Sequence, residues 1–183
     1  MKQSVVFTTN DLPGCPKDKG GLLSGTGKPD KLNGLDGDDE IRGLAGPDFI
    51  VGGVGNDVIR AGPGNDKGKG KYFDRDVMGN RGDDVLYGGD GNDSLGSDMG
   101  QDAGEDVYYG GDGNDVLNGE TWRQGSGEDV YYGEDGNDVI FAKGDRQPDK
   151  LYCGKGKDRY VAEKIDYVDS SCEKNVEMLV PVA

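Results

Sequence analysis

Gly-Asn-Asp occurs five times, at residues 55–57, 64–66, 91–93, 113–115 and 136–138, so a glycine and a carboxylate return together along much of the chain. The carboxylates continue beyond these copies as Asp30, Asp39, Asp48, Asp57, Asp66, Asp76, Asp84, Asp93, Asp106, Asp115, Asp129, Asp138, Asp149, Asp158 and Asp166, and most steps are of nine residues. Carboxylate and carbonyl oxygens are the donors a hard cation takes. The overall charge points the same way: 36 acidic against 21 basic residues leave −15, and that self-repulsion opposes compaction unless cations neutralise it.

Other chemistries fit poorly. The chain has no histidine, which removes H-E-x-x-H zinc sites and Ser-His-Asp triads, and no G-x-S-x-G elbow occurs, so the sequence predicts no enzyme. Nucleic-acid binding depends on lysines and arginines that release phosphate counterions, and the acidic balance argues against it. No stretch approaches the roughly 18 apolar residues of a membrane span. Val5-Val6-Phe7 is too short for a signal-peptide core, so either a leader has been removed or export follows another route.

The elements that would position the carboxylates must be thin. Glycine supplies 35 of 183 residues, well above the usual share of about 7%, and only 32% of the chain is hydrophobic. High charge with low hydrophobicity is also the composition of disordered chains. A nine-residue pattern, G-G-x-G-x-D-x-U-x with U a large apolar residue, organises the rest. Its best copies run Gly52-Gly53-Val54-Gly55-Asn56-Asp57-Val58-Ile59-Arg60, Gly88-Gly89-Asp90-Gly91-Asn92-Asp93-Ser94-Leu95-Gly96 and Gly110-Gly111-Asp112-Gly113-Asn114-Asp115-Val116-Leu117-Asn118. Over residues 25–169 the pattern resembles the RTX family of hemolysin-type calcium-binding nonapeptide repeats.

That resemblance implies an all-β chain folded as a right-handed parallel β-roll, a β-solenoid of about seven two-repeat coils. Residues 1–20 would form an N-terminal cap or extension, 21–169 the roll, and 170–183 a C-terminal cap or tail. Six-residue turns would alternate with three-residue strands, so alternate aspartates would share an edge. One edge would carry Asp30, Asp48, Asp66, Asp84, Asp106, Asp129, Asp149 and Asp166, and the other Asp39, Asp57, Asp76, Asp93, Asp115, Asp138 and Asp158. The U positions predict an interior of Leu32, Ile41, Ile50, Ile59, Met78, Leu86, Leu95, Tyr108, Leu117, Tyr131, Ile140, Leu151 and Tyr160.

One such side chain per nine residues supplies about 1.5–3 kcal/mol of burial, against about 1–2 kcal/mol of backbone ordering for every residue. Apolar burial alone loses that comparison. Calcium, which takes six to eight oxygen ligands, is the natural missing term, and its binding energy would then be folding energy. By resemblance, each of several ions sits between turns of adjacent coils, held by sixth-position aspartates and loop carbonyls. The alternative is a glycine-turn solenoid whose aspartates merely cap turns.

The ligand positions so implied are Asp30, Asp39, Asp48, Asp57, Asp66, Asp84, Asp93, Asp106, Asp115, Asp129 and Asp138. The repeats ending at Asp39, Asp57, Asp93, Asp115 and Asp138 lie closest to the family form. The steps into Asp106 and Asp129 are thirteen and fourteen residues, so extra residues bulge at 96–101 and 119–124. Lys67, Lys69 and Lys71 oppose a cation near Asp76, and Lys155 and Lys157 oppose one near Asp158, by Coulomb repulsion. Asp149 and Asp166 lack paired glycines and stand outside the ligand set with them.

Tyr87, Tyr109, Tyr132 and Tyr152 each follow a U residue, so strand alternation points them outward as a ladder with a spacing of about 4.8 Å. The ladder reads either as cross-strand packing or as a binding surface. Trp122, in the second bulge beside Arg123, offers a protein or glycan contact on a loop-bearing edge, or folds back over the ladder.

Cys153 and Cys172 are nineteen residues apart, close to one coil of the implied roll, and stacking predicts a disulfide between them. Cys15 is left over, as a free thiol or an intermolecular link. Both roll ends expose strand edges that need covering. Lys2 to Thr9 and Val176 to Val182 could cap their own roll or pair with another subunit, which would build a filament or surface layer. The ending Glu177-Met-Leu-Val-Pro-Val-Ala is similar to type I secretion signals, or is a terminal strand. A secreted, extracellular location follows from the resemblance.

Overall fold

The computed structural model describes residues 4–7, 20–66, 77–96, 104–119, 127–144 and 146–175. Within them every element is a strand and every pairing between strands is parallel. One sheet has nine strands in the order β1 (Ser4–Phe7), β3 (Asp30–Asp36), β5 (Phe49–Val54), β7 (Val77–Arg81), β9 (Ser94–Gly96), β11 (Val116–Asn118), β13 (Val139–Ala142), β15 (Arg159–Ala162) and β17 (Lys174–Asn175). The second has eight: β16 (Tyr167–Val168), β14 (Lys150–Tyr152), β12 (Val130–Asp135), β10 (Val107–Asp112), β8 (Val85–Asp90), β6 (Val58–Arg60), β4 (Glu40–Arg42) and β2 (Leu22–Ser24). Odd and even strands alternate between sheets along the chain, which is the winding of a β-solenoid.

The short strands follow from the period of the sequence. In each x-U-x triplet the middle residue points in and its neighbours point out, because strand side chains alternate. Ile41, Ile59, Leu86, Tyr108, Tyr131 and Leu151 pair in register as one inner row. Leu32, Ile50, Val77, Leu95, Leu117 and Ile140 form the facing row. All twelve are buried, so the core is two stacked columns with no wider interior.

Two expected interior residues are placed differently. Met78 is half-buried and Val77 fills the column, because Val77 is the residue paired with Ile50. The strand re-enters one position earlier than the ten-residue step from Asp66 to Asp76 implies. Tyr160 pairs with Ile140 but is only half-buried against the core, near the last strands.

The turns need backbone with positive φ at the second repeat position. Gly53 meets this at +129°, while Leu35 and Leu44 are forced into the same region at +79° and +78°. A side chain there costs about 1–2 kcal/mol against the carbonyl that follows.

The outward ladder is present. Tyr87, Tyr109, Tyr132 and Tyr152 stack with centroids 4.7, 4.8 and 5.0 Å apart, and the Arg60 guanidinium lies 5.2 Å over the Tyr87 ring. Cys153 and Cys172 are joined by a disulfide, their Cα atoms 4.9 Å apart. At the opposite end β1 pairs with β3, Ser4 opposite Asp30, so the N-terminal strand lies on its own roll. Asp76, Cys15, Trp122 and Lys67 to Lys71 lie outside the described residues.

Candidate metal centre

Each repeat ends its turn on an aspartate whose carboxylate folds back into the roll, and these side chains line both edges. Asp30, Asp39, Asp48, Asp57, Asp66, Asp84, Asp93, Asp106, Asp115, Asp129 and Asp138 are all buried, with at most 3% of their surface exposed. Asp149 and Asp158, set aside on sequence grounds, are buried in the same way. A buried carboxylate needs partners. From Asp48 onward the first oxygen has one, Oδ1 accepting the main-chain N–H of the aspartate one coil earlier, and Asp39 Oδ1 accepts the Gly21 N–H.

These bonds define the edges. Asp30, Asp48, Asp66, Asp93, Asp115, Asp138 and Asp158 form one ladder at 2.7–2.9 Å per rung. Asp39, Asp57, Asp84, Asp106, Asp129 and Asp149 form the other, again at 2.7–2.9 Å, and Asp149 N–H reaches Asp166 Oδ1 at 3.3 Å. The expected grouping is therefore corrected beyond residue 66. Asp84, Asp106, Asp129, Asp149 and Asp166 stack with Asp39 and Asp57, and Asp93, Asp115, Asp138 and Asp158 stack with Asp30, Asp48 and Asp66. The cause is a single extra length of chain: the rungs Asp57–Asp84 and Asp66–Asp93 each span 27 residues where the earlier rungs span 18.

The second oxygen carries the chemistry. Oδ2 of Asp39, Asp48, Asp57, Asp138 and Asp158 is buried and accepts no hydrogen bond from the described residues. Each of these repeats but the last opens on a glycine. A methyl group at Gly34, Gly43, Gly52 or Gly133 would run into Oδ2 of Asp39, Asp48, Asp57 or Asp138 and into a main-chain carbonyl one coil on, from Gly52, Ala61, Gly79 or Cys153. Glycine keeps that space open, with a carboxylate oxygen on one side and a carbonyl oxygen on the other. Among the described residues no three carboxylate or thiol groups gather around one point. A cation at these turns would therefore draw on backbone carbonyls as well as aspartates, an all-oxygen set that suits calcium.

The electrostatics of the buried carboxyls favour a positive partner. Burial pushes the carboxyl of Asp48 up to about 6, with the neighbouring Asp30 charge adding to it and the Asp30 N–H opposing. Burial and neighbouring aspartates likewise raise Asp57 and Asp138 to about 7. Asp129 is raised to about 9, by burial first and then by Asp106. Like charges stacked along a dry edge hold their protons unless a cation displaces them.

Asn65, Asn92, Asn114 and Asn137 form a second, exposed ladder outside the first, each side-chain carbonyl accepting the next residue's N–H at 2.7–2.9 Å. Lys157 N–H extends it onto Asn137. The signal was present in the sequence, since the asparagine of every Gly-Asn-Asp copy precedes the ladder aspartate. Lys155 does not face Asp158: its Nζ turns outward to Asp135 at 2.9 Å.

The RTX calcium-binding nonapeptide repeat model matches residues 22–50, 33–67, 76–103, 102–121 and 124–146, together more than half of the chain. The protein belongs to the RTX calcium-binding repeat family. No curated protein matches it. In this RTX chain the matched segments contain the ladder aspartates from Asp30 to Asp138, and the ladders continue to Asp149 and Asp158 beyond the match.

Proposed function

We propose that the chain is an extracellular calcium-binding β-roll module that folds on taking up several calcium ions and serves as a structural or binding element. The observation that carries this is the set of buried Oδ2 atoms on Asp39, Asp48, Asp57, Asp138 and Asp158, each without a donor among the described residues. Buried, unpaired carboxylate oxygens cost more free energy than the thin core returns, and divalent cations reverse that balance. The ligands are Asp30, Asp39, Asp48, Asp57, Asp66, Asp84, Asp93, Asp115 and Asp138, with Asp158 added by its geometry. No catalytic role is assigned. Circular dichroism after exhaustive chelation should show disorder and become β-rich on adding calcium, with magnesium a poor substitute because it keeps its waters. An unchanged spectrum in chelator overturns the reading.

A second reading is a subunit that stacks end to end. It draws on the parallel order of both sheets, in which β1 and β2 at one end and β16 and β17 at the other present edges of matching polarity. Light scattering in calcium separates the two, a monomer favouring the module.

A further inference from the structure

Two coils of the roll differ from the others in their interior. At the inward position where Ile59, Leu86 and Leu151 stand in the same row, the chain carries Tyr108 and Tyr131. Both are fully buried, and their rings stack 5.1 Å apart. Tyr108 donates its hydroxyl to Asp106 Oδ2 at 2.7 Å, and Tyr131 donates to Asp129 Oδ2 at 3.1 Å. Leucine or isoleucine has no such donor to offer. These are the oxygens whose counterparts at Asp39 and Asp57, on the same edge, accept no hydrogen bond from the described residues.

We propose that the Tyr108 and Tyr131 hydroxyls take the place of calcium at Asp106 and Asp129, so that the ion row along this edge is interrupted over two consecutive coils. The inference rests on the calcium reading and assigns Asp106 and Asp129 a different role from the other aspartates. The space beside the first glycine of the turn supports it. At Gly52 that space is walled by Asp57 Oδ2 and the Gly79 carbonyl; at Gly119 it is walled by Asp129 Oδ2, the Tyr131 hydroxyl and the Tyr108 ring. The two nearest oxygens at Gly119 are both side-chain oxygens, whereas at Gly52 one of them is a main-chain carbonyl. The turns into Asp106 and Asp129 are also lengthened, since rungs Asp84–Asp106 and Asp106–Asp129 span 22 and 23 residues where a regular coil spans 18. A turn freed from holding an ion can be lengthened without losing a ligand loop, and the phenol hydroxyl answers the lone pair that the ion would have answered.

The test counts ions. Calcium bound per chain is measured by native mass spectrometry and equilibrium dialysis for the full chain and for Asp57→Asn, Asp106→Asn and Asp129→Asn, substitutions that keep the side-chain shape and an acceptor oxygen. Asp57→Asn should bind fewer ions, and Asp106→Asn and Asp129→Asn as many as the unaltered chain. A loss at Asp106→Asn or Asp129→Asn equal to that at Asp57→Asn overturns the proposal. Crystals of the unaltered chain grown with calcium give a readout independent of any variant. Anomalous peaks should flank Asp57 and be absent at Asp129, and a peak within bonding distance of Asp129 Oδ2 overturns the proposal. Full calcium occupancy everywhere would defeat this inference while sustaining the proposed function, whereas a chain that binds no calcium defeats both.

Discussion

The main-chain N–H of Asp57 donates to Oδ1 of Asp84 across 2.7 Å, although the two are 27 positions apart in sequence. Each aspartate is thus a ligand candidate through one oxygen and a staple between coils through the other. Loss of the side chain should therefore do damage even where the ion count is unaffected.

Asp84→Ala should destabilise the calcium-loaded protein by about 1–3 kcal/mol beyond any lost ion, because the Asp57 N–H is left buried without its acceptor. Asp38→Ala, which removes an exposed acceptor of the Asn56 N–H, should cost less. Urea unfolding in excess calcium compares them, and equal losses would contradict the staple role.

The pH response should differ in sign with and without calcium. In the calcium-free fold the raised carboxyls of Asp48, Asp57 and Asp138 bind protons more tightly than in the unfolded chain, whose value is near 3.8. The stability they contribute is complete below that value and is lost as pH rises through about 6 for Asp48 and about 7 for Asp57 and Asp138. Chelated protein should therefore hold more β-structure at about pH 5 than at pH 8, while calcium affinity should fall over the same acidification because protons compete for the same oxygens. Circular dichroism and calcium titration at both pH values check this pair.

Leu44→Gly should stabilise the roll by about 1 kcal/mol, since φ of +78° strains leucine and its side chain is well exposed. Gly91→Ala should do the reverse, and by more, because its methyl would overlap the Gly64 carbonyl. Thermal melts in calcium rank the two against the parent.

Tyr109→Ala should cost more than Tyr152→Ala. Tyr109 is stacked between the Tyr87 and Tyr132 rings, whereas Tyr152 has a stacked neighbour on one side and a tilted one, Tyr167, on the other. A difference of about 0.5–1.5 kcal/mol, one stacked pair, is expected in urea unfolding.

The repeat, the parallel solenoid, the outward tyrosines and the Cys153–Cys172 link were all legible in the sequence, because a nine-residue period leaves few ways to alternate turn and strand. Edge membership beyond Asp66 was not. An insertion equal in length to one repeat preserves spacing while exchanging the two sides, so counting through Asp76 could not detect it. Lys155 misled for another reason: spacing reports sequence neighbours of Asp158, and the lysine reaches instead across coils to Asp135. The hydroxyls of Tyr108 and Tyr131 were read as core filling, since hydrophobic periodicity registers the ring and is blind to the oxygen.

The aspartate ladders also have a direction. Every rung runs from the N–H of one coil to the carboxylate of the coil that follows it in sequence. The amide of each ladder aspartate is consequently answered by the coil after it, whereas the asparagine ladder runs the other way, from each N–H to the coil before. Near the C-terminal end the last coils are tied covalently as well, where Cys172 returns to Cys153. Along the aspartate ladders, damage to one coil is therefore felt first by the amide of the coil before it in sequence.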